Sequence, residues 1–177
     1  KALKNGYSLD NVNKCLNYAE PLLKKDLPII YNTTHFSLLV GYNLNYIKRA
    51  IKFTPYFYRK FSIRKKDNKL RVLHEPLPSL KEIQDWILKQ VLYKCKVSRY
   101  AKAYVPNKSI KEHVIYHTDE KMVLTLDIKN FFNSIKYNDV EKIFIEVGYS
   151  KRVSNLLTKL CLRNNELPQG APTSPYI

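Results

Sequence analysis

The chain has 177 residues, 45% of them hydrophobic, enough for one sizeable core and too apolar for a disordered segment. Thirty-one Lys and Arg against fifteen Asp and Glu leave a formal charge of +16. So large an excess repels itself unless an anionic partner offsets it, with nucleic acid expected before an anionic membrane surface.

An AT-rich gene would favour Lys over Arg, but it does not account for the shortage of acids. Cys15, Cys95 and Cys161 are odd in number and lack metal-ligand spacing, which argues for a reducing compartment and against a zinc site. No apolar run is long enough to span a membrane, and no signal-peptide pattern is present.

Residues 8–24 carry helical spacing, with Val12, Leu16, Ala19 and Leu23 on one stripe and Pro21 as an interruption. The chain turns near Leu27-Pro28. A second helical stretch over 34–51 is divided in two by Gly41. These elements form a basic lead-in without chemistry of its own, and His35 reads as a surface or capping residue.

Residues 56–74 change period. Phe57, Arg59, Phe61 and Ile63 alternate with Tyr58, Lys60, Ser62 and Arg64; a polar turn follows, and LRVLH returns as a second strand. This is a β-hairpin with a cationic tip of Arg64, Lys65, Lys66 and Lys69, with Arg71 on the returning strand. Two readings stand side by side: lysines that protect a solvated edge, and a phosphate clamp of Arg forks and mobile Lys charges.

Pro76 and Pro78 close the hairpin, and Ser79-Leu80-Lys81-Glu82 reads as a capping box opening an amphipathic helix. Its stripe is Leu80, Ile83, Ile87, Leu88, Val91, Leu92 and Cys95, with Trp86 off centre. A short helix holds His113 and His117; an i, i+4 pair can bind zinc, but no third ligand of the right kind lies nearby.

The stretch MVLTLDIKNFFNSI, 122–135, organises the rest. Met122, Leu124, Leu126 and Ile128 alternate with Val123, Thr125 and Asp127, the period of a half-buried strand whose even positions pack on a core. A carboxylate on such a strand must be solvated, paired or bound to a cation; a turn or capping role is the alternative. Tyr137, Val140, Phe144 and Val147 mark a helix that Gly148 ends, and 150–163 is another, burying Val153, Leu156, Leu157, Leu160 and Cys161. The chain closes on NNELPQGAPTSPYI, a proline-fixed loop in which Gln169-Gly170 has no evident packing task and which a stop at Ile177 would leave uncovered.

Five pieces, FSIRKKDNKLRVLHEP, LKEIQDWIL, AYVPNKSI, LTLDIKNFFNSI and LPQGAPTSP, occur in one order between Phe57 and Pro175. Together they resemble the reverse transcriptases, particularly the bacterial retron-type and group II intron-type branch; IIYNTTHFSLLVGY resembles the N-terminal region of retron enzymes. The resemblance implies an α+β fold, the fingers and partial palm of a right-hand polymerase. Residues 1–54 would be a helical N-terminal region, 55–118 the fingers, and 119–177 the first part of the palm.

The resemblance assigns roles. Asp127, with the main-chain carbonyl of Ile128, would bind two catalytic Mg²⁺ ions. Lys65 and Arg71 would hold the triphosphate of an incoming deoxynucleotide. Phe132 would exclude a ribose 2′-hydroxyl, and Gln169 and Gly170 would line the nucleotide pocket. Arg64, Lys66 and Lys69 would follow nucleic-acid backbone. The implied activity is RNA-directed DNA synthesis in the bacterial cytoplasm on an RNA template with an RNA/DNA primer duplex, with a structured non-coding RNA and an effector protein as candidate further partners.

Two features depart from the family. Its Tyr-x-Asp-Asp acids are missing, and Tyr137-Asn138-Asp139-Val140, inside an expected helix, does not replace them. The expectation is therefore a piece of a longer protein, cut at both ends and inactive alone. Of the retron Asn-Ala-x-x-His pattern, residues 113–117 keep only His117. A non-catalytic RNA-binding scaffold of polymerase fold in a defence complex is the alternative. A membrane-surface protein is disfavoured, because the basic residues form no cationic helix with a clean apolar face.

Overall fold

The computed structural model describes residues 3–64 and 68–177, which form α-helices around one core and a small antiparallel sheet, an α+β arrangement. Helix α1 spans Leu9–Lys24 and starts at Ser8, whose Oγ accepts from Asn11 N at 3.3 Å. Only its C-terminal half reaches the core, so Ala19 and Leu22 are buried while Leu16 and Leu23 are exposed. Ala19 thus keeps its expected place, but Leu22 replaces Leu23 as the buried residue of the last turn, where Leu27 N donates to Leu22 O at 2.9 Å.

Helices α2 (Thr33–Val40) and α3 (Leu44–Lys52) divide at Gly41, which takes a φ of 73° as a left-handed cap. Their Phe36, Ile47 and Ala50 are fully buried. Strands β1 (Tyr58–Arg64) and β2 (Leu70–Pro76) then pair from Tyr58↔Pro76 to Arg64↔Leu70. The hairpin is fixed at its base, where the buried Gln84 amide donates to Tyr58 Oη at 2.7 Å and to Leu160 O at 2.8 Å.

Helix α4 runs Pro78–Gln90 with Leu77 as its cap and no side-chain capping bond. The expected capping box is thus not formed. Proline has no N–H to satisfy and a φ preset for the first helical position, so the helix opens at Pro78 and Ser79 falls inside the first turn. Leu80, Ile83, Ile87 and Leu88 are buried as expected. Trp86 meets Phe36 edge-on at 5.6 Å between ring centroids, which makes it a packing residue.

Short helices α5 (Ile110–Val114) and α6 (Phe131–Ser134) lead to α7 (Tyr137–Val147) and α8 (Lys151–Cys161). Helix α8 buries the five expected apolar residues. The α7–α8 pair is tied by Glu141, which accepts from Lys151 Nζ at 2.6 Å and Tyr137 Oη at 2.9 Å. Among the described residues, no helix is long and apolar enough to cross a membrane.

The stretch 122–128 departs from expectation. It has no ladder partner among the described residues, whose one sheet is the β1–β2 hairpin. Its supposed core positions face solvent, Met122 at 87% and Leu126 at 83% exposure. Alternation alone does not make a strand: backbone donors and acceptors need a neighbouring chain, and an apolar face needs a covering layer.

Candidate functional site

Strand β2, helix α4, helix α6 and the loop at 167–175 meet around a cleft of about 540 Å³. Arg71, Phe132, Gln169 and Gly170 line it together, with Leu73, Lys81, Asp85 and Tyr104. A cleft of about 300–1,000 Å³ is the usual size for a small organic ligand. Arg71 stands opposite Ile63 in the register, on the face of the hairpin turned to this cleft. Phe132 is set by Asn130, whose left-handed φ of 56° starts α6, and its ring meets Phe131 edge-on at 5.5 Å.

Gln169-Gly170 does have a packing task. His74 N donates to Gln169 O at 2.8 Å, so the loop bonds the outer edge of β2. At Gly170 a Cβ would meet His74 O at 3.1 Å, and the φ of 112° is one that L side chains rarely adopt. Only glycine lets the loop lie this close to the strand. Sequence reasoning missed this because the two partners are remote in the chain.

The cleft's electrostatics are mixed. Arg71 and Lys81 bring positive charge and Asp85 negative charge. Lys81 is shared with Glu75, whose carboxylate also accepts from Arg59 Nε at 2.8 Å. The Arg59 bond, then that of Lys81, holds the Glu75 carboxyl below its ordinary value. Lys81 and Asp85 were legible as an i, i+4 pair off the apolar stripe of α4; Tyr104 had no periodic signal.

Other expected site residues lie elsewhere. Lys65 and Lys66 fall outside the described residues. Arg64 ends β1 opposite Leu70, exposed, and Lys69 precedes β2. Asp127 and Ile128 are exposed and do not line the cleft. A carboxylate and a main-chain carbonyl suit a hard cation in kind, but they are too few for two ions. Among the described residues no group of three His, Cys, Asp or Glu could hold a metal ion. His113 and His117 stack edge-on at 5.3 Å, and Asp139 accepts from Lys136 N at 2.9 Å as a helix-start residue.

Residues 63–177 match the family described as reverse transcriptase (RNA-dependent DNA polymerase). The chain is 30% identical over 153 residues to the Retron Ec86 reverse transcriptase of Escherichia coli, covering 85% of this chain and 48% of that protein. It is 33% identical over 130 residues to the Retron Ec73 reverse transcriptase of the same species, 67% of this chain and 41% of that protein. To the Retron Se72 reverse transcriptase of Salmonella heidelberg it is 33% identical over 143 residues, 80% and 38% of the two chains. The chain thus spans less than half the length of these curated relatives.

Proposed function

The chain belongs to the reverse transcriptase family, and on that premise we propose that it supplies the fingers and first palm segment of a right-hand RNA-directed DNA polymerase. The observation that carries this reading is the convergence of Arg71, Phe132, Gln169 and Gly170, far apart in sequence, on one cleft of nucleotide size. Residues 1–54 form the helical lead-in, 55–118 the fingers and 119–177 the palm segment.

In this reading Arg71, with Lys65 from the hairpin tip, holds the triphosphate through charge-assisted hydrogen bonds. The Phe132 ring limits the space beside the sugar and so favours deoxynucleotides. The Gln169-Gly170 backbone, held to β2, gives the base pair a rigid floor. Arg64, Lys66 and Lys69 follow the phosphates of an RNA template and its primer without reading sequence. Asp127 contributes one carboxylate, and Ile128 its carbonyl, to a Mg²⁺ site. Bound there, such ions would offset charge on the transferring phosphoryl group. A structured non-coding RNA is a candidate template, given the retron names of the relatives.

A second reading, a non-catalytic RNA-binding scaffold, draws on one observation: Asp127 stands in solvent, outside the cleft. Primer extension by the natural protein on an RNA template with deoxynucleotides and Mg²⁺ separates the two. The polymerase reading expects product from the wild type, and a loss of roughly 10³-fold or more in Asp127→Ala with RNA affinity kept, because metal ions contribute several kcal/mol of charge stabilisation. Extension by Asp127→Ala within a few-fold of wild type would sink the metal role. No product from either, with RNA binding retained, would favour the scaffold.

A further inference from the structure

The nucleotide cleft uses one face of the hairpin; the other face carries a site of its own. Because side chains alternate along a strand, Arg71 and Leu73 lie on one side of β2 and Val72 and His74 on the other, with Lys60 directly opposite His74. Against that reverse face, the loop that follows α8 encloses a second, polar cleft of about 210 Å³. Arg163 lines it, with its Nε enclosed and without a hydrogen-bond partner among the described residues.

An enclosed guanidinium donor without an acceptor is costly, so an unmatched one marks a place where an acceptor belongs. The cleft's own carboxylate does not serve. Glu166 is taken by Lys136 Nζ at 2.5 Å and Asn133 Nδ2 at 2.8 Å. The surroundings are cationic: burial first, then Arg163 and Lys60, hold the His74 imidazole below its ordinary value. The site therefore calls for an anion that offers planar acceptor pairs, as phosphate and carboxylate do.

Size and continuity choose between an isolated anion and a strand. At about 210 Å³ the cleft is below the range for a whole small-molecule ligand but can hold one phosphate. It is not isolated. Asn164 also lines a neighbouring polar cleft of about 170 Å³, shared with Asn165, Lys52 and Lys159. Neither lysine has an ion pair among the described residues, and both are exposed. Asn164 and Asn165 take consecutive left-handed φ values of 53° and 61°, which bend the chain between the two clefts. Two phosphate-sized cationic clefts joined by one residue fit a polymer with repeated phosphates.

We propose that the reverse face of the hairpin binds the sugar-phosphate backbone of a single RNA strand, with Arg163 in one cleft and Lys52 and Lys159 in the next. This deepens the polymerase reading by giving its nucleic-acid partner a second contact surface, separate from the nucleotide cleft.

The test uses the natural protein, a fluorescent oligouridylate and salt from 50 to 300 mM. Arg163→Gln is expected to weaken binding about 3- to 10-fold. It should also flatten the salt dependence by about 0.7 in logarithmic slope, because one phosphate is no longer neutralised. Arg163→Lys should recover part of the affinity, and deoxynucleotide KM at saturating RNA should stay within about twofold of wild type. Since Arg163→Gln alters an enclosed position, the exposed double variant Lys52→Gln/Lys159→Gln provides a fold-neutral second arm, with a slope change of about 1.4. Unchanged affinity and slope in the folded double variant overturn the proposal. So does Arg163-dependent binding of inorganic phosphate with RNA affinity unchanged, which makes the cleft a free-anion site. Loss of RNA binding in these variants of a protein without DNA synthesis upholds the surface while removing the polymerase reading; DNA synthesis with RNA binding indifferent to all three residues does the reverse.

Discussion

Arg71 and Asp127 belong to the same proposed machinery but stand on very different supports. Arg71 sits on a strand that is paired on one edge by β1 and bonded on the other by Gln169 O. Its base is tied to α8 through Gln84. Asp127 sits on a segment without a ladder among the described residues, between leucine and isoleucine side chains in solvent. The difference teaches where each site residue gets its position. The cleft proposed for the nucleotide is assembled from contacts among the described residues; Asp127 has no such ladder to brace it among them.

The largest break in this contrast comes from the braced side. Phe144→Ala removes a fully buried ring from the core, and the expected cost is about 3–5 kcal/mol, read from chemical denaturation. A cost under about 1 kcal/mol would mean that the α7–α8 pair is loosely packed. Next comes Glu141→Gln, at about 1 kcal/mol near neutral pH, discounted because Lys151 is itself well exposed. The Lys151 bond, then that of Tyr137, holds the Glu141 carboxyl below its ordinary 4.5. A lowered folded value stabilises above the unfolded value and is lost as pH falls through the folded one. The wild type and Glu141→Gln should therefore differ in thermal midpoint at pH 7 and draw together as pH falls below the ordinary 4.5; a gap that stays constant through acid would assign the effect to packing. The smallest effect sharpens the comparison: Leu124→Ser, at an exposed site, should change the unfolding free energy by no more than about 0.5 kcal/mol in a protein of this sequence. A core-sized loss would show that 122–128 is covered after all.

What could be read from the sequence divides along the same line. Breaks at Gly41 and Gly148, the buried stripes of α4 and α8 and the hairpin were legible because helix period and turn residues are local. So was Asp139 as a helix residue. The capping box failed because the helix starts at Pro78, two residues earlier than a cap at Ser79 allows. The 122–128 strand failed because pairing is a property of two segments, and only one was in view. At the site, the resemblance to the reverse transcriptases pointed to Arg71, Phe132, Gln169 and Gly170, which do line one cleft. Arg163 escaped notice because its interest lies in a missing partner, and composition cannot reveal that.

Gln169 lines both the cleft proposed for the nucleotide and the polar cleft behind it, so the two faces of the hairpin share one wall. Sites with a common wall are subject to reciprocity: the factor by which a strand on the reverse face changes nucleotide affinity is the factor by which nucleotide changes the grip on that strand. A shift worth about 1.4 kcal/mol would make that factor ten. If both proposed sites are real, the protein would register whether an RNA strand is seated behind the hairpin before it takes a nucleotide in front, and the messenger would be one loop carbonyl rather than a moving domain.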